Sequence, residues 1–355
     1  MELTSALKRI NSHYNQHLPF VLFSHPDEEF IKVSLQHDDV LYDMDSYLNE
    51  AFIFAPFDFS KKPYCMPSHK GETFTEAYPK KNILHQEFDI KEDIKAAKKY
   101  IKRIKGAIKV IKNRKAIKIV TSRKKDIDLN QFNLIDLIIR LLNLYPKAFR
   151  YVWYHPKTGL WCGASPELLV KTKGPSFITM ALAGTQKYQE GIDPVWNHKE
   201  KEEQQIVVDS ISTSLQKVTS VVKISKTYTR RAASLVHLCT DITGILKKGK
   251  TTLSSITSTL HPTPAVCGTP QKFVKKYILK NEDYNREFYT GFLGPICEKE
   301  SCSKLFVNLR CMKIKNNIAS LFVGGGITIS SDPESEWEET EHKLQTMLQV
   351  IEPMI

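Results

Sequence analysis

Apolar residues recur along this chain with two periods, and the switches between them mark its elements. Between residues 91 and 112, Ile94, Ala97, Ile101, Ile104, Ile108 and Ile111 return at helical spacing while lysines fill the other faces. Gly106 lies inside that run and weakens the prediction of one unbroken helix. Residues 131–146 (QFNLIDLIIRLLNLYP) predict an apolar helix ended by Pro146. The β-branched stretch 116–123 predicts a strand. Residues 149–172 predict a hairpin turning at 155–159, and 177–189 and 234–246 predict further strands. Residues 286–296 and 304–326 read as antiparallel strands, with Lys315, Asn316 and Asn317 as a turn. Ahead of residue 91 the pattern is weaker, with short strands at 37–44, 47–57 and 72–78.

One stretch combines glycine and charge. After Leu321, Phe322 and Val323 come Gly324, Gly325 and Gly326, which let backbone approach a neighbour closely. Ser331, Asp332 and Pro333 then open a helix. On it Glu336, Glu339 and Lys343 share one face. A second helix opens at His198 and carries Glu200 and Glu203 at the same three-residue spacing. Either helix alone reads as a solvated face, the last one with a Glu339–Lys343 pair. The repeated spacing on two helices points to a shared hard cation. Lys118 interrupts an apolar strand, so its side faces either water or a closed site that needs an amine. The small-residue bend 163–167 presents one acid, Glu167, and Ser165 caps it or merely turns it. Strand alternation puts Phe306, Asn308 and Arg310 on one face, aimed where Tyr289 points. His237 on its strand is, taken alone, a structural histidine.

Composition narrows the class. At 355 residues, 41% hydrophobic and 25% charged, the chain reads as an ordinary soluble globular protein. No stretch approaches the ~20 apolar residues of a membrane span, and the N-terminus lacks a signal-peptide core. Seven scattered cysteines with no CxxC pair argue against zinc and for a reducing cytoplasm. The net charge of +12, partly concentrated in residues 95–125, allows a nucleic acid or a small polyanionic substrate. Tyr100 is nearly the only aromatic in that stretch, which disfavours single-strand binding.

With these pieces placed, the chain resembles the chorismate-utilising enzymes, most closely the isochorismate synthases. The likeness runs from about residue 118 to the C-terminus. It is carried by GASPELLV (163–170), LAGT (182–185), KEKEEQQIVVDSI (199–211), LHPTPAVCGTP (260–270), FYTGFLGPI (288–296), FVNLR (306–310) and GGGITISSDPESEWEETEHK (324–343). It implies an α/β (α+β) fold: a single domain over residues 1–355, with large antiparallel sheets, helices outside and a central cleft. Residues 1–115 would be scaffold and 116–355 would carry the site. By resemblance, Glu203 and Glu339 would ligate Mg²⁺, with Glu200 and Glu336 in support. Tyr289, Arg310, the Gly326 backbone and Lys343 would hold a carboxylate of chorismate. Gly184, Thr185 and His237 would line the ring. Lys118 would be the base for the incoming water and Glu167 the acid for the departing hydroxyl. The reaction needs the first neutral and the second protonated, the reverse of bulk water.

Two departures stand out: Gln204 where the family usually has His, and Gln186, Lys187 and Tyr188 after LAGT. Neighbouring activities differ locally. Aminodeoxychorismate synthases place a lysine before Ala-Gly, which 181–184 lacks, and the loop 260–270 is of the isochorismate type. No glutaminase subunit, nucleic acid or membrane partner is therefore expected, and a monomer is. Salicylate synthase shares the acid, base and metal groups. A basic nucleic-acid-binding protein would account for the charge but not for the two acidic helices. The product would feed menaquinone or siderophore assembly.

Overall fold

The computed structural model describes residues 4–355 apart from 45–49, 86–87, 89–92, 189, 192, 233–234, 250–251 and 298–301. Parts of the predicted strands at 47–57, 177–189 and 234–246 and the start of the lysine-rich run fall outside those residues. Among the described residues every strand pair is antiparallel, and the strands form two sheets.

The first sheet runs, edge to edge, through Gly268–Thr269, Lys118–Asp128, Ile318–Ile327, Cys311–Lys315, Gly159–Ser165, Phe149–His155, Phe20–Ser24, Phe30–Gln36 and Gly71–Ala77. The second runs through Thr219–Ile224, Leu235–Leu246, Ser176–Lys187, Leu168–Lys173, Cys302–Val307, Phe292–Cys297, Glu50–Ala55, Tyr64–Pro67 and Tyr42–Asp43. Tyr228–Ala232 also pairs with Leu235–Leu246. Chain order and sheet order differ throughout, so residues far apart in sequence become neighbours.

The sheets pack face to face. Phe23, Phe149, Trp153, Trp161 and Phe322 of the first meet Phe52, Phe54, Leu293 and Phe306 of the second. The outer face of the first sheet is covered by the helices Ser5–Asn15, Leu134–Leu144 and Pro333–Ile351. The second is covered by His198–Leu215 and Leu253–Leu260. A further cluster joins the helices Ile94–Lys112 and Gln271–Asn281 to the start of the Lys118 strand. The fold is thus a mixed α/β architecture with two large antiparallel sheets between helices.

Most predicted elements form where the pattern puts them. The hairpin pairs His155 with Gly159, and Asn316 and Asn317 take the positive φ of a tight turn. Three features differ. Ile94–Lys112 is one continuous helix; Gly106 does not break it, and the Tyr277 hydroxyl approaches there to 3.5 Å from where a Cβ would stand. The helices Ser5–Asn15 and Leu253–Leu260 and the strands Phe20–Ser24, Phe30–Gln36, Thr219–Ile224 and Tyr228–Ala232 form where no element was assigned. Finally, the strand Cys302–Val307 stops before Asn308, so alternation does not carry on to Arg310, whose φ is +48°.

Candidate active site

The strands Lys118–Asp128 and Ile318–Ile327 lie side by side, with Gly324, Gly325 and Gly326 paired to Ser122, Thr121 and Val120, so that Gly326 is the glycine nearest Lys118 along the ladder. Lys118 is fully buried, which removes the water-facing alternative. Its ammonium lies 2.8 Å from Glu203 Oε1, an ion contact outside hydrogen-bond geometry, and the nitrogen has no hydrogen-bond partner. Gly326 makes this meeting sterically feasible. A Cβ there would stand 2.3 Å from Glu203 Oε1 and 2.7 Å from Lys118 Cε. On the other side of Lys118, Gly268 has φ +128°, and a Cβ would stand 2.2 Å from the Lys118 carbonyl oxygen.

Glu167 sits on the bend after Gly159–Ser165. Ser165 Oγ donates to the Val307 carbonyl and accepts from the Glu167 N–H at 3.3 Å, so its hydroxyl fixes the bend between two strands. The Glu167 carboxyl is 2% exposed. Burial pushes its pKa up to about 8, against the opposing pull of the Lys118 charge and the nearby Thr263 hydroxyl. The Glu167 carboxyl faces an enclosed space; Lys118 lies within electrostatic reach of it but is not among the residues lining that space.

That space is a narrow cleft of about 80 Å³, below the usual range for drug-sized ligands. Glu167, Gly184, Thr185, Glu203, His237, Tyr289, Arg310, Gly326, Glu339 and Lys343 all line it. His237 Nδ1 lies 3.1 Å from the Gly184 carbonyl oxygen, which can only accept, so the ring proton belongs on Nδ1. Nε2 is then a buried acceptor without a partner. Burial, then the Arg310 and Lys343 charges, lower this imidazole to about 3, so it stays neutral. Tyr289 stacks on Phe322 at 5.5 Å, and burial raises its phenol well above the ordinary value. Arg310 keeps Nη1 buried and unpaired. Lys343 donates to the Gly324 carbonyl at 2.8 Å and to Glu339. The cleft thus offers a guanidinium, an ammonium and a neutral imidazole to an anionic, hydroxylated ligand.

The acids are arranged unequally. Glu203 and Glu339 line the cleft, whereas Glu336 is 1% exposed and meets Lys199 at 2.8 Å. Burial, then the Glu339 charge, raise the Glu336 carboxyl. Its Oε1 has no hydrogen-bond partner. Glu200 accepts from the Asn197 N–H at 3.1 Å, closing the capping box of its helix, and does not line the cleft. Among the described residues no three or more His, Cys, Asp or Glu side chains form a ready-made metal cage. Two cleft carboxylates with a third behind them suit a cation such as Mg²⁺, which uses few protein ligands and keeps waters.

Several residues that shape the site were given no role from the sequence. Buried Arg286 pairs with Glu282 at 2.6 Å and donates to the carbonyls of Val120 and Val266, tying two cleft walls together. Thr263 lies beside Glu167, and Lys199 neutralises Glu336. Gln204, in the position of the family's histidine, donates to the Ala181 carbonyl and to Thr240 Oγ1, both at 3.0 Å, and so moors the Glu203 helix to the second sheet.

A sequence profile of the family described as chorismate binding enzyme matches residues 65–352. This chain belongs to the chorismate-binding enzyme family. Among curated relatives, the isochorismate synthase DhbC of Bacillus subtilis is 32% identical over 200 residues, 53% of this chain and 50% of that protein. The isochorismate synthase EntC of Escherichia coli strain K12 is 32% identical over 236 residues, 63% of this chain and 60% of that protein. The match therefore spans half to three-fifths of these relatives' length. Among solved structures, a putative 2,3-dihydroxybenzoate-specific isochorismate synthase, DhbC from Bacillus anthracis, superposes with a TM-score of 0.79 at 23% identity. It covers 98% of this chain and 99% of that one. The menaquinone-specific isochorismate synthase MenF of Escherichia coli gives 0.76 at 20% identity, covering 94% and 88%. These likenesses fix the fold as that of the chorismate-binding enzymes. No helix among the described residues is long and apolar enough to cross a membrane, which says nothing of strands.

Proposed function

We propose that the chain is an isochorismate synthase: water adds at C2 of chorismate while the C4 hydroxyl leaves and the double bond shifts. The observation that carries this reading is a carboxyl raised to about 8, Glu167, on the wall of one cleft, with the buried amine of Lys118 within electrostatic reach of it. Such a carboxyl holds its proton at neutral pH and gives it to the departing hydroxyl. In the same reading Lys118 is the group that takes the proton of the incoming water. Arg310, Tyr289, Lys343 and the Gly326 backbone hold a substrate carboxylate, and the unpaired Arg310 Nη1 favours this. Gly184, Thr185 and neutral His237 bound the ring, with His237 Nε2 free to accept from a ring hydroxyl.

Mg²⁺ is part of the same reading, held by Glu203 and Glu339 with Glu200 and Glu336 in support. It would supply positive charge for the substrate's ring carboxylate. Residues 1–115 serve as scaffold within one domain, and a monomer without a glutaminase subunit suffices, because no ammonia enters the reaction. The seven thiols suit a reducing cytoplasm. Menaquinone or siderophore assembly would consume the product.

The test is incubation of purified protein with chorismate, with and without Mg²⁺, and separation of products by chromatography. Isochorismate supports the reading. Salicylate moves the chain to a synthase that goes on to eliminate pyruvate, an aminated product with added ammonia moves it to the anthranilate branch, and no turnover removes the assignment.

A further inference from the structure

Cys297 ends the strand Phe292–Cys297 and Cys302 begins the strand Cys302–Val307. The two stand directly opposite each other in register. Residues opposite one another in an antiparallel pair project to the same face, with Cα atoms ~4.5–5.5 Å apart. That spacing lies inside the range a disulfide spans. All seven cysteines are free; these two are partly exposed while the other five are buried. Charge around the pair is mixed: Glu50 stands opposite Cys297 and Lys173 opposite Cys302 on the adjoining strands, and Lys304 lies within electrostatic reach of Cys302.

We infer that Cys297 and Cys302 are a reversible thiol–disulfide pair, oxidised by exchange with a small disulfide such as oxidised glutathione. One thiolate attacks the small disulfide, forms a mixed disulfide and releases one thiolate of the reagent. The second cysteine thiolate then displaces the other half. The protein loses two hydrogens and the reagent gains them, so two thiols and one disulfide become one disulfide and two thiols. The bond would staple one end of a hairpin whose other end is already pinned. There Thr290 N donates to the Asn308 carbonyl at 2.9 Å and Asn308 N to the Gly291 carbonyl at 2.8 Å. Tyr289 and Arg310 of the cleft flank that pinned end.

The test uses the folded, fully reduced chain, incubated with excess oxidised glutathione, alkylated, digested and mapped by mass spectrometry. The expected result is a peptide linking Cys297 to Cys302, lost on treatment with dithiothreitol, with the buried cysteines still alkylable after unfolding. Cys297→Ser should instead leave Cys302 carrying one glutathione, and Cys302→Ser should leave Cys297 carrying one. Thiols that stay free under these conditions, or both cysteines carrying separate glutathiones without a link, would overturn the inference. A thermal melt of each serine variant that matches the reduced parent shows that a missing link is not a missing fold.

Discussion

Glu167→Gln separates the chemistry of the acid from its electrostatic cost. Burial lifts the Glu167 pKa from an ordinary 4.5 to about 8. Between those values the native state holds a proton that the unfolded chain has released. Stability therefore falls as pH rises through this window and levels off above about 8. A shift of about three and a half pKa units corresponds to a cost of roughly 5 kcal/mol at high pH, as an upper bound, since water entry and relaxation would reduce it. Glutamine keeps the shape and carries no charge at any pH. The variant should match the parent near pH 5, become progressively more stable than it up to about pH 8, by about 1.4 kcal/mol per pH unit at most, and hold that advantage at pH 9. Urea unfolding across that range measures the difference. The same variant should lose ~10²–10⁴-fold in turnover of chorismate, the usual worth of a positioned acid. A stability difference that stays flat from pH 5 to pH 9 would refute a buried, protonated Glu167, whatever happened to activity.

Other expectations follow from the same geometry. Lys118→Ala should lower turnover by ~10²–10⁴-fold while leaving the circular-dichroism spectrum unchanged; near-parental rates would remove Lys118 as the base. Turnover by the parent should fall as pH rises through about 8, where Glu167 gives up its proton, so a rate still climbing beyond pH 9 would count against it as the acid. Gly326→Ala places a methyl 2.3 Å from Glu203 Oε1 and should weaken both Mg²⁺ binding, read by calorimetry, and turnover; parental values for both would show that the strand yields easily. Glu339→Ala should abolish the Mg²⁺ titration, and an unchanged titration would remove this carboxylate from the ligand set.

The sequence alone determined the kinds of element and the chemical types, because those depend on local pattern. Helical spacing in 91–112, the hairpin at 149–172 and the Asp332–Pro333 helix start are all set by residues within a few positions of one another. So is the pairing of acids on one helix face. The resemblance also named the residues of the cleft from motifs that each stay within about twenty residues. Tertiary structure alone decided which of these face each other. Lys118 read equally well as solvent-facing until the packing of its strand against Ile318–Ile327 and Gly268–Thr269 buried it completely. Glu167, Glu203 and Glu339 come from a bend and two helices and meet only through strand orders that no local pattern encodes. The raised carboxyl of Glu167, the counter-ion role of Lys199 and the stapling by Arg286 are likewise long-range. Each depends on how much water and charge the rest of the fold excludes or supplies, and that is set by burial rather than by neighbours in sequence.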